Sequence, residues 1–263
     1  MFIGLCLTPL RQSLRRREFW YRCAIAAAIA LPNFLWEWRN RFPFLELMHN
    51  VRESGRDIVL APLPYLQAKA HMLAFVSALL VPLALLFFFS ERGRPIRVLG
   101  WAYLVFLTEM MLLHGKMYYV APVYPMMFAA GAVWVEAATE GNRWMWIKPA
   151  LAVAIIAVSG IYLPTILPIL SVPHFLAYEH KLGIEQQKFE HMPPGVLPQL
   201  YADMFGWEAI AQRVAAFDHT LSPEEQRKTA IFANNYGDAG AIDFFGPNYG
   251  LPKAIGGHQN YWI

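Results

Sequence analysis

Long uncharged runs occupy the first two thirds of the chain and predict helices that cross a membrane. The clearest run covers residues 70–89, which carry no formal charge. A helix needs ~20 apolar residues to cross a bilayer, so this run predicts a span. Comparable runs predict four more spans, over residues 19–38, 98–115, 117–135 and 150–170. Pro32 and Pro82 are expected to kink the helices that contain them, which membrane helices tolerate.

The N-terminal segment does not fit a full span. Residues 1–10 are apolar and a basic stretch follows, which is the reverse of the order in a signal peptide. Ten residues are also too short to cross a bilayer. We therefore expect a partial span here, either the last half of a helix that begins upstream of Met1 or a stub lying at the interface.

The distribution of basic residues predicts the orientation. Lys and Arg concentrate before the first span, between the second and third, and between the fourth and fifth, namely at Arg11, Arg15, Arg16, Arg17, Arg92, Arg94, Arg97, Arg143 and Lys148. These loops fall on one side, which the positive-inside rule makes cytoplasmic. The outer side then receives residues 39–69, the 114–119 turn and residues 171–263. In a bacterium this predicts a multi-pass inner-membrane protein with a periplasmic C-terminal domain.

The segments on the predicted outer side differ in pattern from the spans. In the loop 39–69, apolar residues at helical spacing after Pro43 predict an amphipathic surface helix. Residues 171–263 resemble a soluble domain, and two short strands among helices predict a small, incomplete α/β fold. The predicted elements are helices over 205–220 and 239–245, a capped helix start at Ser222, strands at 229–233 and 254–255, and a turn over 234–238.

The composition supports a membrane protein. Of the 263 residues, 57% are apolar or aromatic and 16% are charged, against roughly 45–50% and 25% in soluble domains. This excludes a disordered or nucleic-acid-coating chain, and a net charge of +3 is too weak to indicate a polyanionic partner. Two cysteines, Cys6 and Cys23, exclude a disulfide scaffold. The eight histidines show no metal-ligand spacing.

The most specific cluster of candidate functional residues lies at the outer end of two consecutive predicted spans. His114, Lys116, Tyr118 and Tyr119 come together there, just before Pro122. A phosphate at the membrane surface is best held by a fixed cation and hydroxyl donors, so these four residues are candidates for phosphate binding. The alternative is that Lys and Tyr merely anchor the helix ends at the interface.

Two further groups of residues are weaker candidates. Glu109 is predicted to lie mid-span, where burying a charged acid is costly. It is therefore either a functional group or a neutral acid paired with a neighbouring helix. Solvated roles on the surface are expected for Glu46, Glu53 and Asp57. The turn after the first soluble-domain strand would place a ligand site at the strand's carboxyl end, unless it is an ordinary Gly-containing turn. Its candidate residues are Asn234, Asn235, Tyr236, Asp238 and His258, with Asp243, Tyr249 and Asn260 as weaker additions.

Four stretches carry a resemblance to a known family. They are residues 31–46 (LPNFLW, then FPFLE), 113–125 (LHGKMYYVAPVYP), 201–208 (YADMFGWE) and 233–262 (ANNYGDAGAIDFFGPNYG, then GH and NYW). They resemble the C-terminal half of a GT-C class membrane glycosyltransferase, in the group of the protein O-mannosyltransferases (glycosyltransferase family 39) and the aminoarabinose lipid A transferases. The second stretch is fairly specific to the class, and together the stretches cover most of the chain.

The resemblance implies transfer of a sugar from a polyprenyl-phosphate donor to a lipid, glycan or protein acceptor on the outer face. It places Lys116 and the neighbouring tyrosines near the lipid phosphate. It also implies a catalytic carboxylate on a first outer loop upstream of Met1, acting as base or metal partner, so this chain alone is expected to be inactive. A divalent metal fits the resemblance, although no ligand set is visible.

Two other functional classes stay open from the residues. One is a non-enzymatic membrane protein whose periplasmic domain binds a partner or a carbohydrate. The other, weaker, is a transporter fragment, which needs charged residues converging at mid-membrane, where only Glu109 is predicted to lie.

Overall fold

The computed structural model describes residues 2–53, 55, 58–141, 143–183, 195–258 and 261. The chain divides into two compact units, the first made of Met1–Ala27 and Ile58–Phe189 and the second of Ala28–Asp57 and Glu190–Ile263. The predicted domain boundary at residues 170–171 stays a prediction.

The described part of the chain is mainly helical. Its α-helices are α1 (Phe2–Cys6), α2 (Arg17–Arg39), α3 (Pro43–Glu53), α4 (Pro62–Met72), α5 (Leu80–Phe89), α6 (Arg97–Leu112), α7 (Tyr124–Thr139), α8 (Ile147–Ile166), α9 (Val172–Leu182), α10 (Gln199–Ala202), α11 (Trp207–Asp218), α12 (Pro223–Gln226) and α13 (Tyr236–Phe245). Short 3₁₀ helices cover Pro9–Arg15, Ser77–Leu79, Arg94–Ile96, Met117–Val123 and Gly246–Tyr249. The strands are β1 (Ile231–Phe232) and β2 (Ala254–Ile255).

Three helical stretches among the described residues are long and apolar enough to cross a membrane. They are Arg94–Leu112, Met117–Thr139 and Ile147–Ile166, and they correspond to three of the five predicted spans. The first predicted span forms the continuous helix α2, with Pro32 inside it, but α2 is not among the three. The structure therefore supports a helical membrane protein and does not confirm five spans.

The span predicted over residues 70–89 is interrupted in the structure. Helix α4 ends at Met72, and Ala74 and Phe75 then adopt left-handed backbone conformations with φ of 50° and 51°. Pro82 lies in the first turn of α5, where its missing N–H costs no helical hydrogen bond. The long helix in which a kink at Pro82 was expected therefore does not form. The apolar helix that remains, Ser77–Phe89, is shorter than a span.

The core of the first unit forms where α5 packs against α7. Phe88, Val120 and Met127 are fully buried there. Gly131 permits the close approach of the two helices, because a Cβ atom at this position would lie 2.3 Å from the carbonyl oxygen of Leu80. The Arg97 guanidinium donates hydrogen bonds of 3.1 and 3.2 Å to the carbonyl oxygens of Phe89 and Ser90, which satisfies the C-terminal end of α5.

The N-terminal segment packs as a short helix. The five residues of α1 lie against α6, where Gly4 is buried beside Val98. The chain then turns through the 3₁₀ helix Pro9–Arg15 before α2 begins. Neither element has the length of half a span, which is ~10 residues.

In the second unit, local sequence signals identify several elements correctly. The amphipathic helix predicted after Pro43 is α3, in which His49 and Glu53 form an exposed i, i+4 pair at 3.1 Å. The predicted cap at Ser222 is a complete capping box, in which Ser222 and Glu225 exchange hydrogen bonds between side chain and backbone. These hydrogen bonds from Ser222 hold the pKa of the Glu225 carboxyl below its usual range.

The two predicted strands pair with each other. β1 and β2 are parallel, with Ile231 opposite Ala254 and Phe232 opposite Ile255. Helix α13 follows β1 and packs against α11 around a small core of Ala215, Ala233, Ala239, Ile242, Leu251 and Ala254. Because each strand contributes only two residues, the predicted α/β class is not confirmed for this unit.

Candidate functional site

The turn between α6 and the 3₁₀ helix Met117–Val123 carries His114 and Lys116, two of the four predicted phosphate-binding residues. His114 adopts a left-handed conformation with φ of 55°. The Gly115 N–H then donates a 2.8 Å hydrogen bond to the carbonyl oxygen of Met110, which closes the end of α6. Lys116 follows directly and precedes the 3₁₀ helix. The sharp turn thus places His114 and Lys116 at the adjoining ends of two candidate spans.

A buried lysine of α4 fixes this turn. Lys69 is 4% exposed, and its Nζ donates hydrogen bonds of 2.9 Å to the carbonyl oxygen of Met117 and 3.1 Å to the Tyr124 hydroxyl. The ammonium also lies 5.0 Å from the ring centroid of Tyr65 and 5.4 Å from that of Tyr124. A buried cation is costly unless it is compensated. Here a carbonyl, a hydroxyl and two aromatic faces stabilise it.

Burial also shifts the pKa values of Lys69 and Tyr65, which both belong to α4. Desolvation lowers the pKa of Lys69 to about 8, from the 10.5 of an exposed lysine. Lys69 therefore stays mainly charged at neutral pH and loses its proton in mildly alkaline solution. Desolvation raises the pKa of Tyr65, so its phenol stays protonated and can act as a hydrogen-bond donor.

A small cavity lies between α4 and the turn. Its volume is about 20 Å³, and its lining residues are Ile58, Leu60, Tyr65, Met111, His114, Gly115, Lys116 and Met117. A space of this size accommodates about one water-sized group. The Tyr65 side chain is 3% exposed, and its hydroxyl has no hydrogen-bond partner in the described part of the chain. Leaving such a group unpaired costs roughly 1–3 kcal/mol.

The structure brings two of the four predicted phosphate-binding residues to this cavity. His114 and Lys116 line it. Tyr118 and Tyr119 are 40% and 48% exposed and contact each other edge-to-face, with ring centroids 5.0 Å apart. The two tyrosines thus lie next to the cavity in sequence but on the surface. Their role in binding phosphate stays a prediction.

Sequence reasoning missed Tyr65 and Lys69. The only local signal was their i, i+4 spacing, which places both on one face of α4. Nothing in the sequence near Lys69 indicated its burial, because Lys69 binds residues that lie 48 and 55 positions further along the chain.

None of the candidate carboxylates within the described residues lines the cavity. Glu109 is exposed in the last turn of α6 and not mid-span, which corrects that expectation. Glu46 is exposed on α3, and Glu53 is paired with His49, in keeping with solvated roles. Asp57 lies outside the described residues. No group of three His, Cys, Asp or Glu side chains within the described ranges could hold a metal ion.

The second predicted site gathers at the N-terminus of α13 in the second unit. Asn235 caps this helix: its side-chain oxygen accepts a 2.9 Å hydrogen bond from the Asp238 N–H, and its amide donates a 2.6 Å bond to the Asp238 carboxylate. Tyr236 and His258 contact edge-to-face at 5.0 Å, and Asn234 is exposed. The hydrogen bonds between Asn235 and Asp238 are those of a helix cap, so the turn predicted over 234–238 ends at Asn235 and its last three residues begin α13. Ligand binding at this position stays a prediction.

Tyr249 and Asp243, the weaker candidates for this site, make hydrogen bonds within the second unit. The Tyr249 hydroxyl donates a 2.6 Å hydrogen bond to Glu208 and accepts one of 2.9 Å from Gln212. The Asp243 carboxylate accepts a 2.8 Å hydrogen bond from the Ala254 N–H, and so joins α13 to β2. Asn260 lies outside the described residues.

The second unit also contains an open aromatic cleft. Its volume is about 300 Å³, and its walls are formed by Trp207, Tyr236, Gly237, Gly240, Ala241, Phe244 and Phe245. Phe244 is 77% exposed at its edge. Aromatic walls of this kind are typical of small-molecule sites.

Comparison of the chain with known proteins gives no match to a family model, to a curated protein or to a solved structure. The resemblance to GT-C class glycosyltransferases therefore rests on the sequence stretches alone.

Proposed function

We propose that the chain is part of an integral-membrane glycosyltransferase that moves a sugar from a polyprenyl-phosphate donor to an acceptor on the outer face of the membrane. In a bacterial cell this is the inner membrane, with the C-terminal domain in the periplasm. The observation that carries the proposal is the position of Lys116. It lines a cavity at the adjoining ends of two candidate spans, beside His114 and the buried hydroxyl of Tyr65.

This position suits the phosphate of a lipid donor. A polyprenyl chain dissolves in the hydrocarbon layer, so its phosphate lies at the level where apolar helices end. Lys116 would supply a cation there, and protonated hydroxyls would supply hydrogen-bond donors to the phosphate oxygens. A cavity of about 20 Å³ admits one phosphate oxygen, so the rest of the headgroup and the sugar would lie at its mouth.

The proposal assigns donor binding, and not proton abstraction, to this corner. None of the residues that line the cavity in the described structure is a carboxylate. A glycosyl transfer to a hydroxyl acceptor needs a base, for which carboxylates are common choices. In the proposed enzyme the base comes from outside the cavity wall.

The test is sugar transfer by the full-length protein. The purified protein is reconstituted in lipid vesicles and given radiolabelled polyprenyl-phosphate sugars together with membrane lipids and glycans as acceptors. The proposal predicts label in a product that depends on the protein. Absence of transfer with every donor and acceptor offered refutes it.

The aromatic cleft of the second unit favours one second candidate, a non-enzymatic membrane protein with a carbohydrate- or partner-binding domain. Trp207 and Tyr236 in the cleft wall offer ring faces on which a sugar could stack. Titration with soluble cell-envelope oligosaccharides, followed by tryptophan fluorescence, tests this candidate. Saturable binding that Phe244→Ala weakens, in a protein without transfer activity, would favour it over the transferase.

A further inference from the structure

Two arginine-rich segments of the first unit are anchored at the N-terminal end of α6, opposite to the end that carries Lys116. The first, residues 9–22, has five arginines and one acid, and the second, residues 90–97, has three arginines and one acid. The arginines are Arg11, Arg15, Arg16, Arg17 and Arg22 in the first segment and Arg92, Arg94 and Arg97 in the second. We call the two segments together the basic surface.

Helix α1 brings the first segment to this end of α6. Gly4 packs closely against α6, because an added Cβ atom would lie 2.9 Å from the carbonyl oxygen of Val98 and 3.2 Å from the Cβ atom of Trp101. The chain then continues from α1 into the 3₁₀ helix Pro9–Arg15, while the second segment leads directly into α6. The candidate span Arg94–Leu112 begins in that second segment. Both segments therefore adjoin the end of a candidate span, the level at which lipid headgroups lie.

The first segment is held in a defined turn that also exposes apolar side chains. The indole N–H of Trp20 donates a 2.9 Å hydrogen bond to the carbonyl oxygen of Leu14, which ties the start of α2 to the preceding 3₁₀ helix. Among the arginines, Leu10 is 37% exposed, Trp20 59% and Tyr21 64%. Aromatic rings and arginines in one exposed segment are typical of a membrane interface.

The arginines of the first segment are available to a ligand. All five are exposed, and none of their side chains forms a hydrogen bond, ion pair or cation–π contact with another described residue. In the second segment Arg92 is likewise exposed and unpaired within the described ranges. Arg94 pairs with Glu91 at 3.6 Å, and Arg97 donates to the last carbonyl oxygens of α5. Contacts inside the described structure therefore explain two of the eight arginines.

We propose that the basic surface binds anionic membrane lipids, and that its arginines contact their phosphodiester headgroups. A guanidinium group can present two N–H donors to two oxygens of one phosphate. Clusters of basic residues directly beside a membrane span are typical of binding sites for anionic lipids. The exposed Leu10, Trp20 and Tyr21 favour a lipid over a soluble acidic partner, because apolar side chains can enter the acyl boundary beneath the headgroups.

Lipid binding differs from the role of arginines in orienting the chain. The positive-inside rule concerns the charge of a loop during insertion, and it predicts no preference among lipids in the folded protein. Binding to the basic surface predicts such a preference. It also predicts that the preference weakens at high salt, because mobile ions screen exposed charges.

The experiment measures the lipid affinity of the full chain in micelles of an uncharged detergent, where orientation across a bilayer plays no part. The probes are dansyl-labelled phosphatidylglycerol and, as the zwitterionic control, dansyl-labelled phosphatidylcholine. Energy transfer from tryptophan to the dansyl group gives the mole fraction of lipid at half-saturation. We expect a several-fold lower value for phosphatidylglycerol in the wild type, and a smaller difference at high salt.

The informative variant is Arg15→Gln/Arg16→Gln/Arg17→Gln. Its half-saturating mole fraction of phosphatidylglycerol should rise about fivefold or more, since one arginine beside an anionic surface contributes about that factor. The value for phosphatidylcholine should not change. The unfolding temperature should equal that of the wild type, because the three side chains bind no other described residue.

Arg213→Gln/Arg227→Gln/Lys228→Gln is the matched control, since it removes the same charge from exposed positions of the second unit. It should bind phosphatidylglycerol as the wild type does. An equal loss of affinity in this control would reveal a general effect of net charge and would overturn the inference.

Three further results would also overturn it. They are equal binding of both lipids by the wild type, a lower unfolding temperature of the Arg15/Arg16/Arg17 variant, and unchanged phosphatidylglycerol binding by that variant, which would leave the basic surface to a soluble acidic partner. The inference does not depend on sugar transfer. A protein that binds phosphatidylglycerol through these arginines and transfers no sugar refutes the proposed function alone.

Discussion

The Nζ atom of Lys69 donates a 2.9 Å hydrogen bond to the carbonyl oxygen of Met117, the residue directly after Lys116. This bond joins α4 to the turn at the adjoining ends of two candidate spans. It explains how a lysine can be buried without a carboxylate partner in the described structure, since the Tyr124 hydroxyl and two aromatic rings complete its surroundings.

The burial of Lys69 predicts a distinctive pH dependence of stability. Its pKa is about 8 in the folded chain and 10.5 when exposed, so between these values the unfolded chain binds more protons. The free energy of unfolding should therefore rise with pH across this window, by about 2–3 kcal/mol between pH 7 and 10, relative to a Lys69→Met variant. Tyr65, whose pKa is raised, opposes the trend above pH 10.

Thermal unfolding of both proteins in the same detergent, at intervals from pH 7 to 10, measures this effect. A variant of the exposed Lys228 controls for the change in net charge. A stability difference between wild type and Lys69→Met that does not change with pH would show that Lys69 is not desolvated in solution.

The contact between α5 and α7 predicts a stability loss at Gly131. A Cβ atom there would lie 2.3 Å from the Leu80 carbonyl oxygen, so Gly131→Ala must push the two helices apart. We expect a cost of about 1–3 kcal/mol, typical of overpacking in a well-packed core. Gly160→Ala in α8 is the matched control, because nothing lies within 4 Å of its added Cβ atom. Equal unfolding temperatures for the two variants would contradict the packing of α5 on α7.

The N-cap of α13 predicts that substitution of Asn235 destabilises this helix. Removing its side chain in Asn235→Ala deletes both hydrogen bonds to Asp238 and should cost about 1 kcal/mol, whereas Asn235→Ser retains a capping oxygen and most of the stability. Hydrogen exchange of the α13 amides measures the change. If Asn235→Ala instead leaves exchange unaltered and abolishes ligand binding by the second unit, Asn235 is a site residue and not a cap.

Much of the local structure follows from the sequence because its causes are local. The capping box at Ser222 needs only Glu225 three residues later, and both short strands carry apolar residues between turn signals. The apolar runs before Leu112, Thr139 and Ile166 likewise contain all that is needed to identify three candidate spans.

The interruption at Ala74 and Phe75 could not be predicted in the same way. Neither residue is a helix breaker, and the apolar run continues through both. The burial of Lys69 and the unpartnered Tyr65 hydroxyl depend on contacts with Met117 and on a cavity whose walls are distant in sequence. The His114 and Lys116 side of the candidate site could thus be predicted from the sequence. The α4 side, with Tyr65 and Lys69, could not.

The most direct test of the central claim is the steady-state kinetics of Lys116→Ala in the full-length protein, with a radiolabelled polyprenyl-phosphate sugar as the varied substrate. We expect the KM for the donor to rise about tenfold or more with kcat much less affected, since a cation that binds the donor phosphate contributes to ground-state and transition-state binding alike. Lys148→Ala, at the start of a different helix, should leave both parameters unchanged. A donor KM in Lys116→Ala equal to that of the wild type would contradict the account.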